Sequence, residues 1–420
     1  MKKLFLLIFI ISAGLSESIS DKTKNMKKLP GYFNMYWDKT SGRLWIEIKD
    51  FEKEFLYVNS LTAGIGSNDI GLDRGQLGNE RIVYFKRFGP KILMVQPNYS
   101  FRADTKDVKE RQSVADGFAK STLWGFKIAA EQNGNVLIDV TDFFLRDAHG
   151  VIDKLEAQKM GNYSVDKSRS AINISETLSF PKNSNVESII TYVGSKPGRY
   201  IRQVTPTPSA ITVRLHHSMV ELPDKNYSPR AHDPRAGFYP LSFQDYSAEL
   251  DESIYVRYIQ RHRLEKINPS AQISRAKEPI IYYIDPGVPE PIKTAMIESG
   301  KWWNQAFEAA GFKDAFQVKI LPDGAHPMDI RYNMIHWVHR ATRGWSYGGW
   351  ISDPRTGEII KGNVSLGSLR LRQDYLIAAG LLAPYKDKNS IPGSMRQLAL
   401  ARIRQLVAHE IGHTIGIQHN

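Results

Sequence analysis

The chain has 420 residues, 42% of them hydrophobic, and a formal net charge of +12. That length and composition call for folded domains with sizeable cores and exclude a disordered tail. The absence of cysteine excludes disulfides, thiolate metal sites, cysteine nucleophiles and a lipid anchor on an N-terminal cysteine. Lys and Arg are interleaved with Asp and Glu rather than gathered into a block, so the positive charge reads as a solvated surface and no nucleic-acid partner is expected.

In chain order, the first segment, "MKKLFLLIFIISAGLSES", places two lysines before a short apolar run and then small residues. This is the layout of a secretory signal peptide over residues 1–18, and it predicts export to the periplasm, cell envelope or medium. The run is too short to span a bilayer and no later segment qualifies, so no transmembrane segment is expected in the mature form.

Residues 28–258 read as a β-rich N-terminal domain. "RLWIEI", "EFLYVNSL", "RIVYFKRFGPKILMVQ", "NVLIDVTDFFL", "ESIITYV" and "AITVRLHHSMVEL" are β-branched and aromatic runs bounded by turn residues, with "FGP" as a hairpin turn. Thr105 to Ser121 lacks that character and is predicted to hold a helix. Residues 259–278, charged and turn-rich, read as a linker. Histidine pairs at His216, His217 and at His336, His339 project to opposite faces of strands and are assigned to packing or surface roles.

From residue 279 the pattern becomes α/β, so the whole is read as α+β. "PIIYYID" is a buried strand. Pro291 opens a helix with Ile292, Ala295, Met296, Trp302, Trp303, Ala306 and Phe307 at helical spacing, and Gly311 ends it. "FQVKIL", "MDIRYNMIHWV" and a hairpin tipped by "DPRTGE" follow as strands. A last helix is predicted from Ser394 to Ile415, its apolar face built from Met395, Ala399, Ile403 and Leu406.

That helix carries the chemistry. At about 100° per residue, His409 and His413 lie about 40° apart on the edge of the apolar face, so both imidazoles can meet one ion, and a nitrogen-ligated zinc is the natural occupant. Glu410 is adjacent, placed to take a proton from water activated by that ion. Gly416 is where the helix stops in a left-handed turn, after which His419 can return as third ligand. No G-x-S-x-G is present to support serine hydrolysis.

The string "HEIGHTIGIQH" matches the elongated zinc motif of the metzincin metallopeptidases at every fixed position. With "GWSYGGWISDPRTGEIIKGNVSLGS" upstream, the chain resembles a group of large, bacterial, exported zinc-dependent metalloproteases whose β-rich N-terminal region has no assigned function. The resemblance implies that His409, His413 and His419 ligate zinc and that Glu410 is the base. It implies a protein or peptide substrate, and over residues 279–420 a mixed sheet of five strands over two long helices with a substrate-holding edge strand. The segment Ser346, Tyr347, Gly348, Gly349, Trp350 and Ile351 is the candidate for that edge.

Metzincins also carry a methionine-containing turn and a lower subdomain after the third histidine, whereas this sequence stops one residue after His419. The expectation is therefore a C-terminally truncated chain with only the upper part of the catalytic domain. Two readings stay open: a zinc peptidase, or a non-catalytic envelope protein or inactive fragment that retains a peptidase-like domain. Nothing in the sequence addresses oligomeric state.

Overall fold

The computed structural model describes residues 17–342, 344–381 and 393–419; the apolar part of the expected signal peptide lies outside them. The molecule is mixed α/β with a β-rich N-terminal region. Among the described residues no helix is long and apolar enough to cross a membrane.

The runs of β-branched and aromatic residues in the first 220 positions pair, antiparallel throughout, into a thirteen-stranded sheet. Its longest pairing joins Asn183–Ser195 to Ala210–Val220. One face buries Met35, Ile46, Phe55, Tyr57, Phe85 and Phe126 in a first core, and Leu61, Ile190, Tyr192 and Leu215 centre a second. The "FGP" turn joins Leu77–Phe88 to Lys91–Gln96 as expected. The predicted helix between Thr105 and Ser121 is Val108–Gly117, capped by the Asp107 carboxylate accepting from Lys109 N–H.

Two local readings change. "NVLIDVTDFFL" is a strand only over Asn135–Asp139, because the Asp139 carboxylate accepts the Thr141 N–H and starts a helical turn that buries Phe143 and Phe144. Ser121–Gln132 is a strand that its mixed polarity concealed.

The C-terminal region is a six-stranded mixed sheet. Ile280–Ile284 lies parallel between Phe316–Ile320 and Asn333–Val338, and Glu358–Gly367 extends the parallel set. Tyr347–Ser352 then pairs antiparallel with Glu358–Gly367. Two long helices, Ile292–Ala309 and Gly393–Thr414, cover the sheet. Their apolar stripes meet Tyr282, Ile284, Ile335, Val364 and Leu366 in a common core. Gly311, at φ 89°, ends the first helix. Trp302, expected in the core, is 47% exposed, while Trp303 and Phe307 pack inward. Neighbours on a helix are about 100° apart, so only one of two consecutive tryptophans can face the sheet.

The stretch 259–278, read as a linker, contributes to this region. Arg261–His262 pairs parallel with Glu358 and Ile359, and Leu264 packs against the core. The two regions also interlock elsewhere. Asp73 forms a bidentate ion pair with Arg340 at 2.8 Å, with both side chains almost fully buried. Asn183 and Asn185 both donate to the Met328 carbonyl.

Lys361 is 4% exposed and donates to the carbonyls of Pro327 and Asp329. Burial pulls its ammonium pKa down from 10.5 to about 7. The unfolded chain therefore holds the extra proton between those values. Its contribution to stability is complete above the unfolded pKa and is lost as pH falls toward 7. Urea unfolding of Lys361→Met beside the wild type should show the difference in favour of the variant shrinking by about 1 kcal/mol per pH unit from pH 7 to 10. A difference independent of pH would mean that the amine is not neutral in the fold.

Candidate metal centre

The helix Gly393–Thr414 sets the site. Met395, Ala399, Ile403, Val407 and Ile411 recur every fourth residue and are buried, the last three in the core shared with the sheet. The stripe thus passes through Val407, with Leu406 only partly buried at its side. Two hydrogen bonds fix the helix near its chemistry: Trp303 Nε1 donates to the Ala408 carbonyl at 2.8 Å, and the buried Tyr282 hydroxyl bonds Thr414 Oγ1 at 2.7 Å.

The helix stops as its sequence requires. Gly416 has φ 100°, its N–H bonds the His413 carbonyl, and Ile417 N–H bonds the Gly412 carbonyl at 3.0 Å. This is the paired closure of a Schellman turn. A side chain here would also collide, since a Cβ on Gly416 would sit 2.0 Å from the Gln260 carbonyl oxygen.

Beyond the turn the chain reverses, and His419 Nε2 comes to 3.1 Å from His409 Nε2 and 3.0 Å from His413 Nε2. His413 Nδ1 donates to the Ile417 carbonyl at 2.9 Å, which leaves Nε2 as its lone-pair nitrogen. Among the described residues these three form a cluster able to hold a metal ion. The fit is good. Tetrahedral bonds of about 2.0–2.1 Å would set ligand nitrogens about 3.3 Å apart, a few tenths of an ångström wider than found. Three imidazoles suit a borderline transition metal rather than calcium or magnesium. Burial, and the nearby His413 and His419, lower the His409 pKa, which favours its neutral, ligating form.

Glu410 lies one residue along and is 5% exposed. Burial raises its pKa to about 7, and the nearby Gly348 backbone N–H opposes the rise. A cation at the three nitrogens would favour the carboxylate form further. The close approach of the helix to the strand at Gly348 depends on glycine: a Cβ there would lie 2.3 Å from the Glu410 carbonyl oxygen and 3.0 Å from His413 Cβ.

Gly348 belongs to the strand Tyr347–Ser352; Ser346, placed in the candidate edge by sequence, precedes it and accepts the Gly367 N–H on its hydroxyl. Among the described residues this strand pairs only with Glu358–Gly367. Ser352 N–H points to Glu80, away from that neighbour, and Gly362, the ladder partner of Trp350, gives its own N–H to Asn333 on the far side. By the alternation of an antiparallel ladder, Trp350 N–H also faces outward, while Tyr347, Gly349 and Ile351 face the ladder. The sequence grouped all six residues without that distinction.

Sequence reading missed the residues that close the site from the β-rich region and from the stretch 259–278. The Tyr239 ring lies 6.1 Å from the His413 ring, edge to face, and 5.0 Å from the Trp350 ring. Gln260 accepts from Trp350 Nε1 at 2.8 Å and from Ser352 Oγ at 2.9 Å. No local pattern marks either residue. The other histidine pairs stay out of metal chemistry. His336 is buried against Asn363 while His339 is exposed, and His216 and His217 bond Ser60 and Tyr57.

Comparison with known families gives three matches. Residues 16–64 and 75–267 match two domains of unknown function, DUF5118 and DUF5117, and residues 392–420 match the Met-zincin family. The last segment contains the helix, the turn and all three histidines, so the C-terminal region is metzincin-like. No curated protein and no solved structure matches the chain.

Proposed function

We propose that the chain is an exported zinc-dependent endopeptidase of metzincin type, with His409, His413 and His419 as ligands and Glu410 as general base. The observation that carries this reading is the convergence of three imidazole Nε2 atoms at 3.0–3.1 Å, next in sequence to a buried carboxylate. A zinc ion there supplies Lewis acidity and lowers the pKa of water at its open position. Glu410 takes the proton from water as its oxygen attacks the scissile carbonyl carbon, and delivers that proton to the amine nitrogen as the C–N bond breaks. Export rests on the residue 1–18 segment, and the division into 28–258, 259–278 and 279–420 on composition.

The test is metal content and casein hydrolysis. One zinc per chain, with chelator-sensitive activity lost in His419→Ala, is the expected result; activity that survives complete metal removal would overturn the proposal.

Substrate alignment gives a second expected outcome. An extended peptide laid along Tyr347–Ser352 would pair with the outward Trp350 N–H. Trp350→Ala keeps that donor and Trp350→Pro removes it without breaking a ladder bond. KM for peptides should be about tenfold higher in the proline variant than in the alanine variant, at equal zinc content. Equal KM values would place the substrate elsewhere.

A further inference from the structure

The β-rich region reaches the metal centre through three consecutive residues. Gln418 N–H donates to the Gly237 carbonyl and Tyr239 N–H donates to the Gly416 carbonyl, both at 2.8 Å, and Phe238 forms an antiparallel bridge with Ile417. These bonds bracket the turn between the last helical ligand and His419. The clamping segment is itself held. His232 Nε2 donates to the Phe238 carbonyl at 3.1 Å, Gln260 N–H donates to the Tyr239 carbonyl at 3.0 Å, and the chain continues directly into the strand Pro240–Asp245.

We infer that Gly237–Tyr239 is a positioning element for the third ligand, so that the region matching a domain of unknown function is a working part of the metal centre. The inference rests on the zinc-site reading above and assigns the N-terminal region a task within it. The physical reason is entropy. Each backbone residue held in place costs about 1–2 kcal/mol, and a ligand on an untethered segment would draw that cost from metal affinity. Here protein contacts order residues 416–418 before metal arrives, and His419 is the next residue. The Tyr239 ring against His413 places the same segment beside a second ligand.

The experiment compares Tyr239→Pro, which lacks the N–H given to Gly416, with Tyr239→Ala, which keeps it, and uses His419→Ala as the reference for loss of the third ligand. Zinc affinity is measured by competition with a chromophoric chelator, and the ligand field is read from the visible spectrum of the cobalt-substituted protein. Tyr239→Pro should bind zinc about 10–100-fold more weakly and move its cobalt spectrum toward that of His419→Ala. Tyr239→Ala should stay within about threefold of wild type. Hydrogen exchange on the metal-free wild type provides a reading that does not depend on a variant folding: the Gln418 amide should exchange at least about 100-fold more slowly than in an unstructured peptide. Wild-type affinity and spectrum in Tyr239→Pro, or unprotected exchange at Gln418, would overturn the inference. A wild-type chain that binds no metal would instead overturn the zinc-site reading, and Gln418 exchange would still judge the clamp.

Discussion

Glu410→Gln is expected to retain one zinc per chain and to lower kcat by about 10²–10⁴, with KM little changed. The three nitrogens that would hold the ion come from His409, His413 and His419, and the carboxylate is not among them. Glutamine has nearly the same shape and keeps an acceptor oxygen in the same place. What it lacks is the ability to take a proton from water. Metal analysis and steady-state kinetics on the same preparation make the check. Retained turnover would remove Glu410 from the chemistry, and loss of zinc would make its carboxylate a ligand.

Asp73→Ala is expected to cost about 3–5 kcal/mol of stability, because it strands the Arg340 guanidinium in the interior. The two side chains are 3% and 2% exposed and share two bonds of 2.8 Å. Water cannot readily replace the missing partner. The pair also sits at the start of the edge strand: Arg340 Nη1 donates to the Trp345 carbonyl at 3.0 Å, and the Tyr347 hydroxyl lies 3.4 Å from the Asp73 carboxylate. Stability lost here should therefore appear in peptide binding too, as a raised KM. Replacing both partners, Asp73→Leu with Arg340→Met, should recover most of the lost stability, since the penalty belongs to the unpaired charge. Urea unfolding of the single and double variants decides it; a single variant within about 1 kcal/mol of wild type would show that solvent reaches the site.

The parts of the site legible in the sequence were those that local geometry determines. His409 and His413 are one helical turn apart, and Gly416 stands where the turn needs a left-handed residue, so a short string carried both spacing and reversal. The edge strand was legible as β-structure, but the direction of its N–H groups depends on register against Glu358–Gly367, which no single strand reveals. Tyr239, Gln260 and Asp73 reach the C-terminal region across long sequence separations, and each is an ordinary residue in its own neighbourhood. The two tryptophans at 302 and 303 show the limit of periodicity: it found the helix and assigned both rings to the core, where only Trp303 packs inward.

The interlocking of the two regions bears on limited proteolysis. A cut in an exposed turn separates two pieces only if few contacts join them. The turn around Leu250 is open to such a cut, with Leu250 itself wholly exposed. A nick there would divide the chain between the strands Pro240–Asp245 and Tyr255–Ile259, yet both halves would still be joined by the hydrogen bonds of that hairpin and by the Asp73–Arg340 pair. The product would migrate as two polypeptides under denaturing conditions and as one particle under native ones, still carrying the segment that brackets the metal turn.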